Sequence, residues 1–245
     1  MPTVILLRLQ ANWTARPNTR TLHGLASTLF EGAPAPDGAG YAALDKPWAV
    51  APMAAGETDD EWLWRASWLP DAPAPASALA ADTILLGRTS CVVLESTFRR
   101  FPHATLAAGP SVSEVTVEFA SPTFFRGDDA DILLPDPRLI ADSWQRKWNA
   151  SLPPGSELCI DDGAWLEIRR FLSLMDFDLH TVGRDSGYGR PGECGFTGMA
   201  TLRLARGAPA TAWTTLGALS RFAEYCGTGA QTTHGFGATR LIPTE

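Results

Sequence analysis

Four glycines fall within eleven residues in the second half of the chain, where positions 227–237 read GTGAQTTHGFG. The amphipathic stretch from Trp213 to Tyr225 predicts a helix that ends at Cys226-Gly227, a favourable C-cap position. Ala238 to Ile242 predicts the strand that follows. Because glycine has no Cβ, the backbone of such a loop can pass very close to a ligand. The segment therefore constrains the fold to a helix, a tight loop and a strand in direct succession.

The same loop carries groups suited to an anion. Consecutive N–H groups in a turn can form a nest for phosphate, and Gln231, Thr232 and Thr233 add hydrogen-bond donors without bulk. The alternative interpretation is an ordinary connector whose glycines satisfy positive φ angles. Spacing alone does not separate the two.

The first half of the chain predicts several strands around one helix. Val4 to Leu9 is a short apolar run typical of a buried strand, and Trp62 to Trp68 alternates as a half-buried strand does. A helix capped by Thr19 or Thr21 is predicted from the apolar positions Leu22, Leu25, Ala26 and Leu29. Further strands are predicted at residues 47–50, 83–86 and 91–94, and a second helix is predicted to begin within 76–81.

The second half predicts the same kinds of element in a similar order. Val115 to Phe119 alternates as a strand, and Asp136 before Pro137 is typical of a capped helix N-terminus. A strand with a glycine kink is predicted from Gly195 to Leu204. The helix after Asp136 would bury Leu139, Ile140, Ser143, Trp144 and Trp148, and the helix before the glycine-rich loop would bury Trp213, Leu216, Leu219, Ser220 and Ala223.

Each half therefore reads as strand, helix, strands, helix, strand, the β-α-β-β-α-β order of a ferredoxin-like domain. A length of 245 residues suits two such domains. We predict an α+β protein with two tandem ferredoxin-like (RRM-like) domains, covering residues 1–110 and 111–245, with Gly109-Pro110 as the linker.

Composition limits the classes of function. The net charge is −7, with −2 through residue 110 and −5 beyond it, which argues against a protein that coats nucleic acid indiscriminately. Any nucleic-acid site must then be a local patch. The scattered cysteines form no CxxC pair, which argues against zinc and disulfides and fits a reducing cytosol. No apolar run approaches the roughly 20 residues that span a bilayer, so we expect a cytoplasmic protein without a membrane partner.

Three segments, taken in order, resemble the Cas6 family, whose members are endoribonucleases that cut CRISPR repeat transcripts. Residues 222–237 (FAEYCGTGAQTTHGFG) resemble its C-terminal glycine-rich signature. Residues 119–125 with 133–148 resemble its SPT-F segment and the proline-flanked helix after it, and Gly195 to Gly198 resembles its GF-x-G strand. In the first half, Thr21 to Leu25 and Lys46 to Val50 match the family less specifically.

The resemblance implies RNA cleavage without a metal ion or any other cofactor. The ribose 2′-hydroxyl would attack the adjacent phosphodiester and expel the 5′-oxygen, leaving a 2′,3′-cyclic phosphate. The family takes its catalytic groups mainly from the first helix and the loop after it, which makes His23 the first candidate. Tyr41 and Lys46 are the further catalytic candidates, because residues 38–45 contain no His where many members have one. The alternatives are a structural His23, a Tyr41 that covers the core and a solvated Lys46.

Candidate RNA contacts fall into two groups. The first contains two cations that flank the first predicted helix, Arg16 and Arg20, and three on the helix after Asp136, which are Arg138, Arg146 and Lys147. Such cations would suffice because A-form stems are read mostly through phosphates and shape. The second is the glycine-rich loop, with Gly229, Gln231, Thr232, Thr233, His234 and Gly235. Each cation taken alone is better explained as a solvated surface charge, whereas the trio on the helix after Asp136 leaves RNA contact and a solvated face equally open. We interpret His180 as structural, and His103 lies in a segment expected to be irregular.

Three functions remain open from the sequence. They are an endoribonuclease acting on CRISPR repeat RNA, a Cas6-like RNA-binding subunit that has lost catalysis, and an α+β scaffold for protein interactions. His23 favours the first, the loop without histidine favours the second, and the acidic charge favours the third. The partners that the resemblance implies are CRISPR repeat RNA and other Cas proteins of an effector complex. Whether the chain forms a homodimer is left open.

Overall fold

The computed structural model describes residues 1–13, 17–31, 46–75, 82–86, 89–183 and 194–243. Helix α1 (Thr19–Glu31) lies on a sheet built from the first half of the chain. The strands of this sheet are β1 (Thr3–Gln10), β2 (Trp48–Val50), β3 (Ala54–Ala55), β4 (Glu61–Trp68), β5 (Thr83–Leu86) and β6 (Thr89–Arg100). Their order is β2-β4-β1-β6-β5, with β3 paired to β4, and each pairing is antiparallel.

The second half forms a four-stranded sheet and a small hairpin. Its strands are β7 (Glu114–Thr123), β8 (Phe125–Arg126), β9 (Asp131–Ile132), β10 (Leu172–Gly183), β11 (Cys194–Leu204) and β12 (Thr239–Ile242). The remaining helices are α2 (His103–Ala107), α3 (Pro137–Ser151), α4 (Asp162–Arg169) and α5 (Ala210–Cys226). The sheet order is β10-β11-β7-β12, while β8 pairs with β9. None of the described helices is long and apolar enough to cross a bilayer.

Both sheets repeat one arrangement. In the first half, β1 is central and lies between β4 and β6. In the second half, β7 takes the same place between β11 and β12. Strand β2 pairs with the other edge of β4, and β10 pairs with the other edge of β11 in the same way. Strand β5 is an additional strand of the first sheet, paired with β6. The repeated order confirms the prediction of an α+β protein with two tandem ferredoxin-like domains.

Each half buries a separate apolar face. The predicted stripe of α1 (Leu22, Leu25, Ala26 and Leu29) is fully buried on the first sheet. In the second half, Ile140, Trp144 and Trp148 of α3 pack with Leu216 and Leu219 of α5. Asp136 caps α3 as predicted, because its carboxylate accepts from the amides of Arg138 and Leu139. The burial pattern thus confirms the helix faces that apolar spacing indicated.

Some local expectations were wrong. Asn18, rather than Thr19 or Thr21, caps α1, since its Oδ1 accepts from the Thr21 amide at 2.9 Å, the N3 position that an N-cap side chain reaches. Trp213 is 42% exposed because Ala212 takes the buried position in that turn of α5. His103 lies in a helix and not in an irregular segment. Helices α2 and α4 are too short to show apolar periodicity, and the helix predicted to begin within 76–81 falls outside the described residues.

Helix α2 connects the two halves. Leu106 packs in the core of the second half together with Leu69, although both precede the predicted boundary at residue 110. Arg221 of α5 donates to the carbonyl oxygen of Leu106 from Nε and Nη2, at 2.9 and 2.8 Å, and to that of Pro110 from Nη1 at 2.8 Å. The division at 110 stays a prediction, while the packing shows that the second core draws on residues before it.

Candidate active site between the two halves

The glycine-rich loop leaves α5 through a left-handed C-cap at Gly227, whose φ is +66° and whose N–H donates to the Ala223 carbonyl at 2.9 Å. The loop then closes on itself, because the Thr228 amide donates to the Gly237 carbonyl at 2.8 Å. The Ala230 amide donates to the carbonyl of Phe124 at 2.9 Å. These bonds make a narrow neck, defined as residues 227–230 with 237, from which the loop tip projects.

Helix α3 holds this neck from the side. Lys147 donates from Nζ to the carbonyl oxygens of Cys226, Gly227 and Gly229, at 3.2, 3.2 and 3.3 Å. Ser143 accepts from the Gly229 amide at 3.1 Å, and the amides of residues 228–230 therefore all donate to protein acceptors. The phosphate nest suggested by the sequence is accordingly not offered by these three amides.

The loop tip bends back onto the first half. Gln231 has a left-handed backbone with φ of +55° and precedes a single 3-10 turn at Thr232–His234. This turn packs against α1 and β2. Thr232 is buried there, while Gln231 and Thr233 are half-buried, so the tip forms one of the contacts between the halves.

Two histidines meet at this contact. The rings of His23 on α1 and His234 in the turn stack with centroids 3.9 Å apart and planes inclined by 12°. His23 Nδ1 lies 3.1 Å from the carbonyl oxygen of Thr233, and the centroid of the Trp48 ring lies 5.0 Å from that of His23. Thr233 Oγ1 hydrogen-bonds Nδ1 of His234 at 3.1 Å. The structure thus brings together a catalytic candidate and a loop candidate that are far apart in the sequence.

Electrostatics keep His234 neutral. Burial, followed by the positive charges of His23 and Arg126, lowers the pKa of His234 from 6.5 to about 4. Arg126 is an exposed residue of β8, and its positive charge acts on His234 from the β8–β9 hairpin. The sequence interpretation missed Arg126, and no local motif marks it.

The other catalytic candidates are located less completely. Lys46 is half-buried and lies two positions before Trp48, the residue that contacts His23. Tyr41 falls outside the described residues. Among described residues no cluster of three or more His, Cys, Asp or Glu side chains has the arrangement of a metal site.

The cationic candidates do not form one surface. Arg20 is exposed on α1, one turn before His23, whereas Arg16 lies outside the described residues. Arg138 and Arg146 are exposed on α3. Lys147 points elsewhere, toward the carbonyls of the neck, since consecutive helix residues are rotated by about 100°. We assign Lys147 to holding the loop, and Arg20, Arg138 and Arg146 stay candidates for RNA contact.

Apart from the histidine pair, a depression with a volume of about 530 Å³ lies between the open faces of the two sheets. Arg8, Arg65 and Arg240 line it, yet Arg8 pairs with Glu61 and Glu95, at 3.8 and 3.5 Å. Arg240 pairs with Glu118 at 3.2 Å. These pairings offset much of the positive charge of the depression, and the histidine pair is therefore the stronger candidate site.

Fold and site together define a tandem ferredoxin-like protein whose candidate site is shared by its two halves. The family model described as CRISPR-associated endoribonuclease Cas6 matches residues 117–239, half of the chain. The chain belongs to this Cas6 family.

Individual relatives agree with this assignment. A CRISPR-associated endoribonuclease Cas6 of Mycobacterium tuberculosis is 33% identical over 136 residues, which cover 56% of this chain and 41% of that relative. The chain thus matches about two-fifths of the length of this curated relative. A Thermus thermophilus Cas6 superposes with a TM-score of 0.72 at 26% identity, over 99% of this chain and 98% of the other. Its product complex gives 0.80 at 26% identity, over 99% and 100%.

Proposed function

We propose that the protein is a metal-independent endoribonuclease that cleaves CRISPR repeat RNA with His23 as its general base. The observation that carries the proposal is the setting of His23, half-buried on α1 with Nδ1 bound to the Thr233 carbonyl. A carbonyl only accepts, so Nδ1 carries the proton of the neutral ring and Nε2 carries the lone pair. His23 is thereby suited to act as a general base through Nε2.

The cleavage step follows from this arrangement. Nε2 of His23 takes the proton of the ribose 2′-hydroxyl, and the 2′-oxygen forms a bond to the adjacent phosphorus. The bond from phosphorus to the 5′-oxygen breaks, and the leaving oxygen takes a proton from a general acid. The products are a 2′,3′-cyclic phosphate and a free 5′-hydroxyl. Lys46 and Tyr41 are the candidate acids, and Arg126 stabilises the negative charge of the phosphorane.

Local charge supports RNA binding even though the net charge is −7. Arg20 and Arg126 are exposed near the histidine pair, and Arg138 with Arg146 are exposed on α3. We propose that these cations contact RNA phosphates, which need only positive charge at the right positions. We propose that Gln231 and Thr233, the half-buried residues of the loop tip, supply the polar surface beside the scissile bond, while the buried Thr232 and Gly235 shape the turn. Other Cas proteins are further proposed partners.

The test is a cleavage assay in EDTA with repeat RNA from the same genome. His23→Ala should lower the single-turnover rate by about 100-fold or more. His180→Ala is the matched control, because His180 lies on β10 and bonds Thr197, away from the pair. A 2′-deoxy nucleotide before the scissile bond should block cleavage, and a phosphatase that opens cyclic phosphates should convert the product. Cleavage that persists in His23→Ala would contradict the assignment.

A second candidate function is a binding subunit that retains the RNA without cutting it. It is favoured by residues 38–45, which contain no histidine. In the same assay this function predicts tight binding of the repeat by the wild-type chain and an intact RNA. Weaker binding at higher salt would still distinguish such a subunit from a protein scaffold.

A further inference from the structure

The glycine-rich loop makes two contacts with His23 that the proton transfer itself does not use. The carbonyl of Thr233 accepts from Nδ1, and the ring of His234 covers one face of the His23 ring. We propose that Thr233 and His234 act together as a positioning device that fixes the tautomer and the ring plane of His23. His234 then exchanges no proton with the RNA. This inference rests on the proposed function of His23 and assigns separate roles to the two histidines.

The hydrogen bond fixes the tautomer. An imidazole that is free to choose distributes its proton between both nitrogens, and only the form with the lone pair on Nε2 can act as a base there. The Thr233 carbonyl selects that form and also stabilises the imidazolium that results from proton transfer. The Thr233 carbonyl thus orients the base, as a third group does in other sites where a base activates a nucleophile.

The stack fixes the ring plane. With planes inclined by only 12° and centroids 3.9 Å apart, rotation of His23 about its side-chain bonds would push one ring into the other. The tilted ring of Trp48, with its centroid 5.0 Å away, further limits the motion of His23. An aromatic face is all that this contact requires, and a phenyl ring would supply it equally well.

The surroundings of His234 oppose a proton-transfer role. Its Nδ1 is bound to Thr233 Oγ1, and burial lowers its pKa to about 4. A base of that pKa is weak at neutral pH, and a second positive charge beside a protonated His23 is disfavoured. A ring that only stacks on His23 needs neither an available Nδ1 nor a pKa near neutrality, so the stacking role agrees with the hydrogen bond to Thr233 and with the lowered pKa.

Thr233 and His234 are held in place by the hydrogen-bonded neck of the glycine-rich loop. Both contacts come from consecutive residues of one 3-10 turn, and that turn projects from the neck that Lys147 and Ser143 hold. Orientation of a catalytic group is sensitive to such support, since a displacement of about 1 Å can cost on the order of 100-fold in rate.

The experiment compares His234→Phe with His234→Ala in single-turnover cleavage, alongside the nitrogen chemical shifts of His23. The chain has four histidines, which makes the His23 signals assignable by substitution. We expect His234→Phe to cleave within about threefold of wild type at saturating protein, and His234→Ala to be about 10- to 100-fold slower under the same conditions. His23 should be protonated at Nδ1 in the wild type and in His234→Phe, and should become a tautomer mixture in His234→Ala.

Three results would overturn the device. Equal loss in His234→Phe and His234→Ala would show that His234 transfers a proton, and full activity in His234→Ala would show that the stack is dispensable. A free protein with the proton of His23 on Nε2 would also contradict it. Because the nitrogen shifts are read without RNA, a wild-type chain that shows the Nδ1 tautomer yet cuts no RNA would contradict the proposed function and leave the positioning intact.

Discussion

A Cβ atom added to Gly237 would lie 1.9 Å from the carbonyl oxygen of Thr228, on a backbone whose φ is +66°. The two residues close the neck of the glycine-rich loop, with the Thr228 amide donating to the Gly237 carbonyl at 2.8 Å. Glycine is required here for two separate reasons, the left-handed backbone and the absence of space.

Gly237→Ala should therefore lower the free energy of unfolding by about 3–5 kcal/mol, from the backbone penalty and the overpacking together. Gly207→Ala is the matched control, because Gly207 also has a positive φ, +92°, but has no atom within 4 Å of its Cβ position. It should cost only about 1–2 kcal/mol. Urea unfolding of both variants measures the difference, and equal losses would show that the close approach is unimportant.

Lys147 is expected to stabilise the loop and not to bind RNA. Lys147→Met keeps most of the aliphatic stem but removes the donor to three carbonyls at the end of α5, and should cost about 1.5–3 kcal/mol. The neighbouring Arg146→Met, at an exposed position, should change stability by less than about 0.5 kcal/mol. Thermal unfolding compares the two. A stable Lys147→Met chain with weakened RNA binding would reverse the assignment.

The burial of His103 predicts that the protein loses stability in acid. Its Nε2 bonds Ser151 Oγ at 2.8 Å, and Ser151 donates to the Trp148 carbonyl, so His103 is the donor and a second proton would have to sit on Nδ1. Within the described part of the chain that buried nitrogen has no hydrogen-bond partner. Burial lowers the pKa of His103 from 6.5 to about 4.

As the pH falls, the imidazole of His103 therefore takes up its second proton in the unfolded chain before it does so in the folded protein. Stability due to neutral His103 is complete above pH 6.5 and declines toward pH 4, by about 2–3 kcal/mol. His103→Phe should flatten this part of the pH dependence, measured as the urea midpoint at each pH, whereas His180→Phe should leave it unchanged. Parallel curves for wild type and His103→Phe would contradict the prediction. The wild-type curve also includes a decline from His234, whose pKa is lowered in the same sense.

Arg126 should act on both the histidine pair and the RNA. Arg126→Gln removes a positive charge that lowers the pKa of His234, so that pKa should rise. RNA affinity should fall about three- to tenfold, and the salt dependence of binding should weaken by about one phosphate contact. Arg170→Gln is the control, since Arg170 pairs with Glu167 on the surface of α4. Proton resonance titration of His234 and filter binding at several salt concentrations measure the two effects.

Much of the fold was predictable, because apolar spacing reports burial directly. The stripe of α1, the capped start of α3 and the glycine end of α5 all occur where their patterns indicated them. Long elements carry enough repeats to be read, while the five residues of α2 do not. The predicted kink of β11 occurs at Gly198, where the pairing with β7 shifts register.

The site was predictable only as separate parts. His23 and His234 were both candidates, yet nothing in their local sequence indicates that they stack, because the contact depends on how two domains dock. Arg126 comes near them through the same docking. Lys147 resembles a surface cation in sequence, and only its position opposite the neck reveals three carbonyl acceptors.

The hydrogen bond between His23 and Thr233 joins residues 210 positions apart. A ribosome adding about 5–20 residues per second would finish α1 many seconds before the loop emerges. Through that interval the growing chain carries His23 without the Thr233 carbonyl and the His234 ring that contact it in the folded protein. An RNA-cutting activity that depends on this pair would therefore switch on only after the glycine-rich loop has been synthesised and has docked on α1.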